Sequence, residues 1–217
     1  MEEKEDLTKI NIKSVDLFKT TILVSSLTDL NTVNHDLQKD ILDIKKNDKT
    51  NLKKSNVGGW HSEYNLNQRN EESLKKLHLI VNEVIFKVYE SLGGFETRKG
   101  VKLNSTSWAN VSSGSDFQSF HTHPGWSLSA VYYVKVPDHS KLVGDAGCIQ
   151  FDEFSNKQQS YNSVILKDLI GPTRQSIKPN PGMLIVFPSY IPHSVYPTGL
   201  DEERISVAFN FIIEKDS

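Results

Sequence analysis

The segment from Gln118 to Val134 reads Q-S-F-H-T-H-P-G-W-S-L-S-A-V-Y-Y-V and holds two histidines, His121 and His123, separated by one residue. In an extended strand alternate side chains point to the same face, so these two imidazoles would aim at one point in space. Neutral imidazole is the commonest protein metal ligand, and two converging imidazoles are metal-ligand geometry. A third is available from His193, just beyond the hydrophobic run P-G-M-L-I-V-F-P. Arg204 follows and opens the strand R-I-S-V-A-F-N-F-I-I. Alternation puts Arg204, Ser206, Ala208 and Asn210 on one face of that strand and Ile205, Val207, Phe209 and Phe211 on the other. The apolar set is expected to meet helices, which turns the Arg/Ser/Asn set toward an opposite sheet. A guanidinium turned inward is costly unless paired, so Arg204 requires either an internal carboxylate or an anionic ligand.

The remainder of the chain must supply elements that hold these groups in place. Residues 1–13 are mostly charged or polar and are expected to be disordered. Residues 15–24 read as an edge strand rich in branched and aromatic side chains. After Thr28 or Asp29, either a plausible N-cap, apolar residues fall at Leu30, Val33, Leu37, Ile41 and Ile44, which predicts a helix ending in K-K-N-D-K. Residues 49–70 form a polar connection whose Gly58-Gly59 pair permits a turn, with Trp60 expected to cover the core. A second helix is predicted over 71–92, with Leu74, Leu77, Val81, Val84, Ile85, Val88 and Leu92 on one stripe and Gly93-Gly94 as its stop. His78 lies beside that stripe and reads as a packing residue.

Beyond Gly100 short strands are predicted over 101–111, 116–123, 127–136, 146–154, 161–169, 183–188 and 204–213, separated by Gly, Pro, Ser and Asp. Closely spaced strands after a helical section indicate a β-sandwich or barrel backed by helices. In the strand over 127–136, Ser129, Val131, Tyr133 and Lys135 share one face and Leu128, Ala130, Tyr132 and Val134 the other, so one tyrosine faces inward.

The 217 residues suit one domain. A net charge of -2, from 25 basic and 27 acidic residues spread along the chain, leaves no electrostatic footprint for nucleic acid or an anionic membrane. The one cysteine, Cys148, excludes an internal disulfide framework, suits a reducing compartment and reads as strand packing. The first residues lack a secretory signal, and no apolar run approaches the ~20 residues of a membrane span. A cytoplasmic protein is therefore expected, with a homodimer left open.

Taken in order, H-x-H at 121–123, S-A-V-Y-Y-V at 129–134, G-x-x-x-F at 147–151, F-P-S-x-x-x-H-x-V-x-P at 187–197 and R-I-S-V-A-F-N at 204–210 resemble the Fe(II)/2-oxoglutarate-dependent oxygenases with a double-stranded β-helix. More narrowly, the chain resembles a branch of short oxygenases whose substrates are generally unassigned. The resemblance implies a mainly β fold: a jelly-roll, cupin-like core over 101–217, backed by an N-terminal strand and helices over 14–100. It implies an Fe(II)-dependent dioxygenase that consumes 2-oxoglutarate and O2, hydroxylates an unidentified substrate and releases succinate and CO2. His121 matches the first metal ligand and His193 the distal one. Arg204 matches the residue that holds the far carboxylate of 2-oxoglutarate, with Ser206 as its hydroxyl neighbour. Tyr133 and Asn110 lie near positions of further contacts to that cosubstrate, which makes Tyr133 the inward tyrosine.

At one position the chain departs from the family pattern: His123 stands where most relatives have a carboxylate, so the reading adopted is a three-histidine centre of His121, His123 and His193. The alternative places His123 outside the ligand set and recruits Asp116, Asp152 or Glu153. Two rival readings remain. A cupin would use the metal without 2-oxoglutarate, although the glutamate expected shortly after H-x-H is missing. A non-catalytic module would bind a small anion through Arg204. His35, His61 and His139 are expected at the surface, Trp108 and Trp126 in packing, and loops 56–62, 111–116 and 137–145 are candidates for substrate selection.

Overall fold

Two helices with one apolar stripe each, and strands with one apolar face each, account for the layers of the fold. The computed structural model describes residues 20–27, 31–93, 100–152 and 174–215. The start over 1–13, and the strand expected over 161–169, lie outside the described residues. Along the chain run β1 (Leu23–Ser26), α1 (Asn31–Asn47), β2 (Asn56–Val57), β3 (Trp60–His61), α2 (Glu72–Gly93), β4 (Val101–Ser112), β5 (Phe117–His121), β6 (Leu128–Lys135), β7 (Ile149–Asp152), β8 (Arg174–Ile177), β9 (Met183–Pro188), β10 (His193–Val195) and β11 (Arg204–Lys215).

The strands form two sheets, six-stranded in the order β1-β9-β6-β11-β4-β3 and five-stranded in the order β2-β5-β10-β7-β8. Pairing between the named strands is antiparallel throughout. This is the two-sheet jelly roll expected for the core. Strand β1 sits at a sheet edge as expected, but it lies at Leu23–Ser26 and shares only residues 23–24 with the expected 15–24; residues 20–22 are not strand, and 15–19 lie outside the described residues.

The helices pack on the outer face of the six-stranded sheet. Leu37 and Ile41 of α1 and Leu74, Leu77, Val81 and Ile85 of α2 are fully buried in one cluster with Ile205, Val207, Phe209 and Phe211 of β11. Each such side chain contributes about 1.5–3 kcal/mol through burial. The alternation along β11 is therefore as expected, and its other face, carrying Arg204, Ser206 and Asn210, looks into the space between the sheets. Tyr132 and Tyr133 divide in the same way. Tyr132 joins the helix-side core and donates to Asn34 Oδ1 at 2.7 Å, while Tyr133 belongs to the inner cluster with Phe151, Phe187 and Ile191.

Trp60 is buried in the helix-side core, and its indole N–H donates to Asp48 at 2.8 Å. His78 is satisfied at both ring nitrogens, by the Leu74 carbonyl at 2.6 Å and Ser107 Oγ at 2.7 Å. Both match the packing roles expected of them. Cys148 is buried immediately before β7. Strands β2 and β3, inside the segment expected to be a connection, and β8 and β10 differ from the expected set: at two to four residues each they are too short to carry a periodic signal.

Candidate metal centre and the adjoining cavity

The five-stranded sheet brings together histidines that are distant in sequence. In the antiparallel pairing of β5 with β10, His121 and His193 are direct Cα partners. His193 thus opens a strand of its own after the tight turn that follows β9. The histidine pair differs from a simple strand pair: β5 ends at His121, and His123 lies past it, held by its backbone N–H donating to the Ser189 carbonyl at 3.0 Å. The convergence survives this change. Ligating nitrogens of His121, His123 and His193 lie within 4.8 Å of one another, and the ring centroids are 4.3 to 5.1 Å apart.

Backbone carbonyls orient two of the three rings. The Nδ1–H of His121 donates to the Ser119 carbonyl at 2.6 Å, and that of His193 to the Ile191 carbonyl at 3.0 Å. A carbonyl can only accept, so each Nε2 keeps its lone pair, the arrangement that ligating histidines require. His123 lacks such an anchor; its Nδ1 is 3.5 Å from Asn210 Nδ2, at the outer limit of a hydrogen bond. Burial holds all three rings neutral. It lowers the pKa of His121, takes that of His123 down to about 4 with help from His121, and takes that of His193 down to about 3 with help from both neighbours. Neutral, oriented imidazoles fit a divalent transition-metal ion.

Among the described residues, neither Asp116 nor Asp152, two of the carboxylates considered as an alternative ligand, joins them. Asp116 accepts from the Ser113 N–H at 2.9 Å and packs against Gly58, and Asp152 pairs with Arg174 at 2.7 Å. Glu153 lies outside the described residues.

The three histidines line a cavity of about 430 Å³ between the sheets. Arg204, Ser206, Tyr133 and Asn110 line it too, and Ser206 is the Cα partner of both Asn110 on β4 and Tyr133 on β6. Arg204 is 3% exposed, lies 5.1 Å from the Tyr133 ring centroid and has no carboxylate partner among the described residues. Its Nε, the Tyr133 hydroxyl and Asn110 Oδ1 are buried without hydrogen-bond partners. Burial raises the Tyr133 pKa despite the opposing charge of Arg204, which keeps the hydroxyl as a donor. A guanidinium with no carboxylate partner among the described residues, beside the unpartnered Tyr133 hydroxyl, is a cradle for a carboxylate.

His61 corrects the expectation of a surface position. It is 2% exposed, lines the cavity, donates from Nδ1 to the Ser62 carbonyl at 2.5 Å and stacks on Trp108 with centroids 5.8 Å apart. The turn before it is tight: a Cβ on Gly58 would lie 2.0 Å from Asp116 Oδ1, and one on Gly59 2.9 Å from the Val111 carbonyl, with both glycines at positive φ. That turn folds β3 onto β4 and carries His61 inward. His35 is exposed and His139 partly so. Trp108 serves packing and cavity alike, whereas Trp126 is partly exposed and is not among the lining residues. Lys54 and Tyr64 also line the cavity, unanticipated because nothing in their local sequence marks them.

Residues 106–210 match the model of a family described as "Putative 2OG-Fe(II) oxygenase". No curated protein sequence matches the chain. Among solved structures, the fold is similar to a Pseudomonas putida prolyl-4-hydroxylase (TM-score 0.63, 14% identity, covering 91% of this chain and 94% of that one). It is also similar to a Trichoplax adhaerens prolyl hydroxylase solved with a hypoxia inducible factor peptide fragment (0.62, 15%, 88% and 83%). A third is SnoN, a non-heme alpha ketoglutarate dependent epimerase from nogalamycin biosynthesis (0.62, 11%, 91% and 81%). Identities this low establish the fold, and the names span more than one reaction.

Proposed function

Since the chain belongs, through residues 106–210, to the 2OG-Fe(II) oxygenases, we propose that His121, His123 and His193 hold its iron and that Arg204 anchors its cosubstrate. Fe(II) and 2-oxoglutarate are the cofactor and cosubstrate of this enzyme class, and O2 is the oxidant. The reaction assigned is R–H + O2 + 2-oxoglutarate → R–OH + succinate + CO2, in which one oxygen atom enters the alcohol and the other succinate. The iron, when bound, supplies the activation of O2 and the oxidation of the C–H bond.

The chain's residues bind, orient and shield. Arg204 clamps the far carboxylate of 2-oxoglutarate by charge-assisted hydrogen bonds, with Ser206 and Tyr133 donating to the same group and Asn110 beside them. The backbone carbonyls of Ser119 and Ile191 keep His121 and His193 in the ligating tautomer. The apolar wall of Val131, Ile149, Phe187 and Val195 limits water around the centre. The observation that carries this reading is the pairing, in one cavity, of three convergent imidazoles with a buried arginine that has no counter-charge among the described residues.

We place the protein in the cytoplasm as a single domain. Among the described residues no helix is long and apolar enough to cross a membrane.

The test is anaerobic addition of Fe(II) and 2-oxoglutarate, following the visible metal-to-ligand charge-transfer band. Wild type should show the band, Arg204→Ala should weaken it at equal metal content, and the response of His123→Ala reports on the third ligand. Stoichiometric metal without a band would favour the cupin-like reading, in which the metal works without 2-oxoglutarate.

A further inference from the structure

Arg204 and its neighbours account for one end of the cavity and the three imidazoles for the next part, but a third stretch of wall serves neither. It begins at His123, whose ring centroid is 5.7 Å from that of Trp108. Tyr64 stands edge-on to Trp108 at 4.9 Å, and the Lys54 ammonium lies 6.0 Å from the Tyr64 ring centroid. All four side chains line the same cavity, so they form a continuous path from the metal centre to the mouth. Lys54 is exposed and forms no ion pair with a described carboxylate.

The charge of this cavity has one sign. Among the described residues lining it there is no aspartate or glutamate, whereas Lys54 and Arg204 are both present. With three neutral imidazoles as ligands, a divalent ion and the dianionic cosubstrate cancel, and both side-chain cations remain in excess. A cleft lined by one sign of charge concentrates ligands of the opposite sign and rejects like ones. One of the two cations is committed to the cosubstrate.

We propose that the substrate is a small organic acid, a carboxylate or phosphate monoester with an apolar body. Its anionic group meets Lys54, and its body lies along Tyr64 and Trp108, directing a C–H bond toward the histidine cluster. A lysine ammonium is a compact point charge suited to either anion, and the two rings offer apolar surface for the body. The cavity, about 430 Å³, is in the range of small-molecule sites. This assignment rests on the oxygenase reading above.

The test is calorimetric titration of the full chain, loaded with Zn(II) and saturated with 2-oxoglutarate, using phenylacetate, phenylacetamide and phenethylamine, which share a body and differ in charge. Phenylacetate is expected to bind about fivefold tighter than the amide, the gain of a favourable ion pair at a partly exposed site, with the amine weakest. Lys54→Gln should equalise acid and amide, and Lys54→Glu should put the amine ahead of the acid. A capped pentapeptide bearing Phe-Glu tests the source of the anion: its failure to bind is expected, and Lys54-dependent binding tighter than that of phenylacetate would place the acid on a polypeptide and overturn the small-molecule assignment. The proposal is overturned if the preference for the acid persists in Lys54→Gln, if phenylacetate displaces 2-oxoglutarate and so occupies Arg204, or if the acid does not bind at millimolar concentration. Failure of the oxygenase reading shows separately, as absence of the charge-transfer band with Fe(II) and 2-oxoglutarate, because the Lys54 comparison is read from the acid and amide alone.

Discussion

Histidines at least half-buried occur on both sides of the six-stranded sheet, and the two sides treat them differently. On the helix side, His78 has a protein partner at each nitrogen and an edge-on contact with Phe209 at 5.3 Å. Between the sheets, His121 and His193 have partners only at Nδ1, and their Nε2 atoms form no hydrogen bond among the described residues. Those Nε2 atoms are not buried away from the cavity, so they keep lone pairs accessible to a ligand: one region is complete as folded, and the other leaves its acceptors for a ligand. Arg204 extends the contrast, since it sits unpaired on the inner face of the strand whose outer face supplies Phe209 and Phe211 to the core. Inner-face polarity without partners marks the functional side of the sheet.

The strongest attempt to break that division exchanges its two kinds of histidine. His193→Ala should lower metal affinity at least ~100-fold, more than loss of an outer hydrogen bond to a ligand would, while the protein stays folded. His78→Ala should bind metal at wild-type stoichiometry but lose about 2 kcal/mol of stability, because Ser107 Oγ and the Leu74 carbonyl lose their partner and a void opens beside Phe209. Metal analysis and denaturant unfolding of both variants decide the matter; metal loss in His78→Ala, or its retention in His193→Ala, would falsify the division.

Arg204→Met sharpens the comparison at the other end of the cavity. Replacing an unpaired buried guanidinium by an apolar chain of similar length should raise the stability of the ligand-free protein by about 1–3 kcal/mol. The same change should weaken 2-oxoglutarate binding at least ~10-fold through loss of charge-assisted hydrogen bonds, with metal affinity unaltered. A variant that gains stability and loses the cosubstrate has an arginine kept for the ligand. Equal 2-oxoglutarate affinity would remove Arg204 from the site.

What the chain revealed before folding follows the same line between local and distant causes. The two faces of β11 were legible because strand alternation is a local property, and so was the inward aim of Arg204. The stripes of α1 and α2 were legible by spacing, with α1 found at Asn31–Asn47 and α2 at Glu72–Gly93. The pairing of His193 with His121 is a register between strands far apart in sequence, and β10 is only three residues long, so its formation depends on neighbours rather than on its own pattern. That His123 lies past the strand end depends on a hydrogen bond to Ser189, across the sheets. The burial of His61 is not legible in the sequence, because a lone histidine in a glycine turn carries no periodic signal. Its burial follows from the pairing of Trp60 with Val111 and of His61 with Asn110, which only the folded sheet creates.

The smallest expected effect concerns the proton. Burial lowers the His78 pKa below its ordinary value, outweighing the Leu74 carbonyl, which acts the other way. A folded-state pKa below the unfolded one means that the unfolded chain takes up the proton first as pH falls. The stability contributed by neutral His78 is therefore full above about pH 6.5, the unfolded value, and is lost as pH drops toward the folded pKa. His78→Gln removes the titrating group, so the stability difference between wild type and variant should be largest near pH 7.5 and narrow by pH 5. Denaturant unfolding at the two pH values, with metal and 2-oxoglutarate absent, measures that difference. The buried cavity histidines acidify identically in both proteins and cancel, so a narrowing gap reports His78 alone. A gap that is level or widens with acid would mean that His78 is protonated in the folded core, and the helix-side histidine would no longer be the neutral, fully partnered counterpart of the cluster.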